Sequence, residues 1–223
     1  MTNVALFDMN ETTLDLADVR ATVNDVLGSE HGFTMWFQKL LQLAMTSAIT
    51  DSYQDFGVLA PSALRTTAAS IDRTLAADAV PRVGASLAAI APYPDVVEGL
   101  ESLREAGWKT MPLTNSSLAG VTAQVDGNGL GHLFDEILSV DLVQRFKPHR
   151  APYLHALEIG GADPEHTWLV ACHDWDLQGA RSVGLRTAYV RRPHMHYADS
   201  YPPADVSVND FVELAAALTG SSF

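Results

Sequence analysis

The chain opens on an unbroken apolar run, Val4-Ala5-Leu6-Phe7, that ends at Asp8. Four apolar residues without polar alternation predict a strand buried on both faces, as in a parallel sheet. The rhythm then turns helical. Leu16, Val19, Val23, Val26 and Leu27 share one face, with Gly28 as the stop. Phe33 to Thr50 carries a broad stripe of Phe33, Trp36, Phe37, Leu40, Leu41, Leu43, Ala44 and Ala48. After a short polar stretch holding Tyr53 and Phe56, Pro61 opens a predicted helix over Ser62–Ala77. Another is predicted over Val83–Ile90, before Ala91-Pro92-Tyr93-Pro94 breaks the pattern. No strand pattern stands out between Asp15 and Pro92, so this stretch reads as an all-helical insertion behind the first strand.

Beyond Pro94 helix and strand patterns alternate. Helices are predicted over Asp95–Ala106, Leu118–Asn128, Pro152–Gly160, Leu177–Val183 and Asp210–Leu218. Strands are predicted over Trp108–Leu113, where Pro112 weakens the signal, and over Ile137–Val140, Thr167–Cys172, Arg186–Val190 and a short one at Val206. This alternation implies βαβ units. The expected fold is α/β, a doubly wound, Rossmann-like parallel sheet core formed by residues 1–14 and 92–223, with residues 15–91 as an inserted helical cap.

The composition of the 223 residues, 47% hydrophobic and 18% charged, is that of a globular chain with a sizeable core. A net charge of −13 argues against nucleic-acid partners and against anionic membrane surfaces. No apolar run approaches a membrane span and no targeting segment precedes the first strand, so a cytoplasmic protein is expected. Cys172 is the only cysteine, which rules out an internal disulfide and fits a reducing compartment.

If the buried strands are parallel neighbours, their C-terminal ends deliver Asp8, Thr114-Asn115-Ser116 and His173-Asp174-Trp175-Asp176 to one crevice. Asp8 is then placed for chemistry, although an aspartate there can also simply cap the next turn. Thr12 is within reach of it. Thr114 offers a hydroxyl and Asn115 an amide, while Ser116 or Ser117 is expected to cap the following helix. Trp36, Phe37, Tyr53 and Phe56 either form the core of the insertion or make an apolar lid over Asp8, where desolvation favours a carboxylate nucleophile.

The segment Asp8-Met9-Asn10-Glu11-Thr12-Thr13-Leu14-Asp15 after an apolar strand resembles the first motif of the haloacid dehalogenase superfamily. The later motifs follow in order: Thr114-Asn115, Lys147-Pro148 after Ser139-Val140-Asp141, and Asp176. The resemblance implies an aspartyl nucleophile at Asp8. It implies hydroxyl or amide contacts to substrate or nucleophile from Thr114 and Asn115, and a cation beside the nucleophile at Lys147. It implies a water-activating carboxylate at Asp176. An ammonium within ~4–6 Å keeps an aspartate ionised.

The superfamily's phosphatases carry a second aspartate where this chain has Asn10, and an acidic magnesium ligand where it has Cys172. Magnesium prefers hard oxygen donors, so no metal and no cofactor are expected. Cys172 with His173 is too small a set for zinc. The closer resemblance is to the type II enzymes that act on 2-haloacids. It implies a small halogenated acid as substrate, a metal-independent hydrolase and a homodimer; a phosphohydrolase or a weakly catalytic acid-binding relative are the alternatives. Some dehalogenase-like chains share a histidine at the position of His173. That residue can bind halide, act as a base or fill the crevice, while Asp174 is an alternative base that reads more as a capping or solvated group. One departure stands out. Relatives place arginine within Trp-Arg-Gln-Lys on the cap helix, to bind the substrate, and this chain has Trp36-Phe37-Gln38-Lys39.

Overall fold

The computed structural model describes residues 3–220. Its elements are β1 Val4–Phe7, β2 Leu14–Asp15, α1 Ala17–Leu27, α2 Gly32–Ile49, α3 Phe56–Ser70, α4 Ala79–Ala88, β3 Ala91–Pro92, α5 Val96–Glu105 and β4 Lys109–Thr114. They continue with α6 Leu118–Gly127, β5 Leu138–Ser139, α7 Arg150–Gly160, β6 Thr167–Ala171, α8 Asp174–Arg181, β7 Arg186–Val190, β8 Val206–Val208 and α9 Phe211–Gly220. The main sheet runs β5-β4-β1-β6-β7-β8 with every neighbouring pair parallel. This is the expected doubly wound sheet with a helical cap inserted after its first strand. All four residues of β1 are fully buried, and the strand lies between β4 and β6, where the winding reverses. The carboxyl end of a strand at such a switch point is where open α/β sheets bind ligands.

Pro112 is tolerated in β4 for a reason of side. Lys109 donates its N–H toward β1, to Asn3 O, and Thr110 donates in the other direction, to Asp135. Position 112 shares the orientation of 110, so its missing N–H faces the β5 side. There β5 pairs only with Leu113 and Thr114, so little of the ladder is lost.

Four boundaries lie three or more residues from the sequence pattern, and one of them is the start of α4, at Ala79 instead of Val83. The helix predicted to open at Pro61 begins at Phe56, because the Asp55 side chain accepts the Val58 N–H at 3.1 Å and caps it there. It ends at Ser70 instead of Ala77, where Arg73 N–H closes onto Ala68 O at 2.8 Å and Asp72 takes a left-handed φ of 53°. α8 starts three residues earlier than expected, at Asp174, so Asp174 and Asp176 lie in its first turn. A two-stranded ribbon also escaped the pattern: β2 pairs antiparallel with β3 where the chain leaves the sheet and where it returns. Two-residue strands are too short to show a period.

Helices α1 to α4 pack on one another over the carboxyl end of β1. Buried apolar residues run continuously from these helices into the core, joining Leu40 and Leu64 to Phe7 and Val121 in one cluster. No helix among the described residues is long and apolar enough to cross a membrane.

Candidate active site

The β1 ladder extends one residue past the strand, with Asp8 N–H donating to Val170 O at 3.0 Å. A tight turn then reverses the chain. Glu11 adopts a left-handed φ of 63°, and Thr13 and Leu14 both donate back to Met9 O. The turn aims the Thr12 hydroxyl at Asp8 Oδ2, at 2.7 Å. Arg192 holds it from outside: its Nε donates to Thr12 O at 2.9 Å while the guanidinium grips Asp95 with two bonds.

Lys147 is fully buried. Its ammonium donates to Asp8 Oδ1 at 2.9 Å, to Asp176 Oδ2 at 2.6 Å and to Leu113 O at 2.7 Å, so all three of its hydrogens are used. Asn115 fixes the backbone beneath it by accepting the Lys147 N–H at 2.9 Å. The other oxygen of Asp176 accepts from the Tyr153 hydroxyl at 2.5 Å. On the opposite side of Asp8, His173 Nδ1 lies 2.9 Å from Oδ2, and its Nε2 lies 3.2 Å from Glu11 Oε2. Glu11 in turn pairs with Arg20 at 3.0 Å. Both ring nitrogens therefore face carboxylates, and an imidazolium satisfies both.

The electrostatics follow from these contacts. Burial works against ionisation of Asp8, but the Lys147 ammonium and His173 outweigh it and hold the carboxyl well below the usual range. Asp176 is shifted the other way, because burial and the charge of Asp8 exceed the help it receives from Lys147. Burial opposes the charge on Lys147, yet Asp176 and Asp8 raise its affinity for the proton. His173 is raised well above its ordinary value despite burial, by Cys172 and by its bonds to Asp8 and Glu11. The group is thus an array of ion-pairing and hydrogen-bonding partners in a low-dielectric recess.

The recess over Asp8 is walled by Asn10, Phe37, Phe56, Thr114, His173 and Trp175, among others. The structure brings together Asp8, Thr12, Lys147, Asp176, Asn115, Thr114, Asn10 and His173, as the strand-end argument anticipates. Phe37 and Phe56 reach the recess from the cap. Trp36 does not line it; its indole is buried and donates to Ala60 O at 3.0 Å. Tyr53 packs its ring on Phe146 and donates to Asp141, tying the cap to the core. Ser117, and not Ser116, caps α6. Asp174 is taken up structurally, accepting from Trp175 N–H and Ala198 N–H.

Sequence reasoning missed Glu11, Arg20, Tyr153 and Arg192. Each acts by a contact across long sequence separation or through an unusual backbone angle, which periodicity does not carry. Glu11, one residue before Thr12 in the turn that follows Asp8, was the one available hint.

A magnesium ion fits poorly here. Asp8 Oδ1 is taken by an ammonium and Oδ2 by a hydroxyl and an imidazole, and Cys172 Sγ would be a soft ligand. Among the described residues the His/Cys/Asp/Glu cluster close enough to share an ion is Asp163, Glu165 and His166, at the opposite end of β6.

Comparison with known proteins supplies the family. The model of the haloacid dehalogenase-like hydrolases matches residues 2–184. The chain is 30% identical to an (S)-2-haloacid dehalogenase of Pseudomonas sp. (strain YL), over 83% of this chain and 81% of that one. It is 27% identical to (S)-2-haloacid dehalogenase 4A of Burkholderia cepacia, over 94% and 91%. The solved L-2-haloacid dehalogenase of Xanthobacter autotrophicus superposes with a TM-score of 0.89 over the whole of both chains, at 23% identity. With the motifs assembled at one strand end and a family match over most of its length, the chain belongs to the haloacid dehalogenase-like hydrolases.

Proposed function

We propose that the protein is a metal-independent 2-haloacid dehalogenase that works through an ester on Asp8. The observation that carries the reading is the setting of Asp8: a carboxylate bonded to the Lys147 ammonium and to His173, inside a recess whose apolar side is Phe37, Leu41, Phe56 and Trp175. That environment suits displacement at carbon, where a desolvated anion is the stronger nucleophile. An Asp8 oxygen forms a bond to C2 of the acid as the carbon–halogen bond breaks, and the halide leaves with the bonding pair. Water then adds to the carboxyl carbon of Asp8 and gives one proton to Asp176. The bond from Asp8 to the substrate oxygen breaks, the second water proton passes to that oxygen, and the 2-hydroxy acid leaves as Asp8 is restored to the carboxylate and Asp176 loses its proton to solvent. Lys147 contacts both carboxylates and so offsets charge in each step.

Phe37 removes the cation that relatives place on the cap. Among the described residues lining the recess, His173 is the one able to carry positive charge; with both ring nitrogens facing Asp8 and Glu11, we assign it electrostatic attraction of the substrate carboxylate across the ring and not a direct hydrogen bond. The cap is taken as residues 15–91, bounded by the β2–β3 ribbon.

The test is a single turnover of 2-chloropropionate in ¹⁸O-labelled water with enzyme in excess. Halide release with unlabelled product oxygen, followed by label in Asp8 on later turnovers, is expected. Product labelled on the first turnover overturns the covalent route, and phosphate release from phosphomonoesters without halide release overturns the activity.

A further inference from the structure

The recess over Asp8 measures about 20 Å³, space for roughly one water molecule. Beside it, between the cap and the core, lies a chamber of about 340 Å³. Asn10, Phe37 and Phe56 line both spaces, so a single layer of side chains separates them. Trp36, Leu40, Leu64, Val83 and Leu87 make the chamber apolar, and none of its lining residues among those described is charged. Its exposed lining residues are Gly57 on α3, Gly84 and Ala88 on α4 and Ala123 on α6, all small.

A close-packed interior leaves few voids larger than a water molecule, and those it keeps cost dispersion contacts. A chamber this large beside a nucleophile has the size and lining of a ligand site. A short haloacid would leave it almost empty. A cavity of about 150 Å³ accepts one benzene ring, so this one accepts roughly twice that bulk.

We propose that the acid taken by this site carries an apolar alkyl or aryl tail of roughly six to twelve non-hydrogen atoms, lodged in this chamber, with the side-chain wall of Asn10, Phe37 and Phe56 displaced so that its carboxyl end reaches Asp8. The proposal rests on the dehalogenase reading only for the chemistry of the reacting end; the tail rests on the chamber. Phe37 then has a reason to replace a charged residue, since it forms part of the wall that the tail passes.

The experiment pairs binding with turnover. Calorimetric titration of propionate, octanoate and 4-phenylbutyrate measures the tail without requiring reaction. Halide release from 2-bromopropionate and 2-bromooctanoate measures it in catalysis. Octanoate and 4-phenylbutyrate are expected to bind at least about tenfold more tightly than propionate, with kcat/KM rising in the same sense. In the double variant Gly84→Leu with Ala123→Leu, the ratio between long and short acids should collapse toward one. A Cβ on Gly84 meets no atom within 4 Å, so the helix accepts the change. Affinity independent of tail length in the unaltered protein overturns the proposal, as does a tail preference that survives in a folded double variant. Tail-dependent binding without halide release from any acid would leave the chamber assignment standing and remove the dehalogenase reading. Halide release with flat binding would do the reverse.

Discussion

Phe37 on the cap stacks over His173 on the core, with ring centroids 6.2 Å apart and planes inclined by 29°. The pair places an apolar cap residue against the imidazole that contacts Asp8 and Glu11. If the charge of His173 attracts the substrate carboxylate, His173→Asn should raise KM for short 2-haloacids by about tenfold, roughly the worth of one unit charge a few ångströms away. Phe37→Arg should recover most of that loss in the His173→Asn background and change KM little on its own. Steady-state kinetics of the four proteins decides it; failure of the second change to rescue the first would assign substrate binding elsewhere.

The pH dependence of turnover should have two limbs with separate owners. Asp176, raised by burial and by Asp8, must be ionised to accept a proton from water, so kcat falls at acid pH, above the ordinary carboxylate range. His173, raised by its anionic neighbours, loses its proton only well above its ordinary value, so kcat/KM falls at alkaline pH. Tyr153→Phe removes a hydrogen bond that favours ionised Asp176, and the acid limb should move to higher pH with KM unchanged. An unmoved limb would show that another group titrates.

The same shift has a stability consequence with a definite sign. A group whose folded pKa is raised stabilises the fold fully below its unfolded value, about 6.5 for histidine, and that contribution is lost as pH rises through the folded value. Asp8, depressed in the fold, contributes above the ordinary aspartate range and loses it as pH falls. Urea midpoints of the unaltered protein should decline from about pH 6.5 upward more steeply than those of His173→Asn. Parallel curves would mean that the imidazole is neutral.

Lys147 is enclosed with two carboxylates, so Lys147→Met should destabilise the protein by about 3–5 kcal/mol through uncompensated buried charge. Adding Asp176→Asn should return part of this loss. Chemical denaturation of the single and double variants measures the coupling, and additive effects would contradict the shared ion pair.

Activity should survive exhaustive EDTA treatment and gain nothing from added magnesium. The cations at Asp8 belong to the protein itself, through Lys147 and His173. Loss on chelation with recovery on magnesium would favour phosphoryl transfer.

The strand-end residues were legible in the sequence because burial on both faces leaves an unmistakable apolar run, and such runs stop where polar chemistry begins. Asp8, Thr114, Lys147 and Asp176 could be expected together on that ground and on the resemblance. The start of α3 was misplaced because Pro61 is a louder signal than the Asp55 cap that sets it. The partners of the site were hidden for a different reason. Tyr153 lies 23 residues from Asp176, and Arg192 lies 180 from Thr12; only the folded chain makes them neighbours. Nor does the sequence show that Trp36 turns its indole to Ala60, because one face of a helix can serve a core or a ligand with the same spacing.

The β2–β3 ribbon closes the chain on itself at the neck, with Leu14 opposite Pro92 and Tyr93 N–H donating to Thr13 O. The sheet therefore meets everything between those strands as a single loop whose ends are already joined. Closing such a loop costs only about 0.6 kcal/mol more each time its length doubles. The helices above the ribbon can lengthen, shorten or be exchanged at small expense to the strands below. Selection can thus rework what the protein admits through α2–α4, whereas α1 carries Arg20, the partner of Glu11, and must keep it in any graft onto the same two strands.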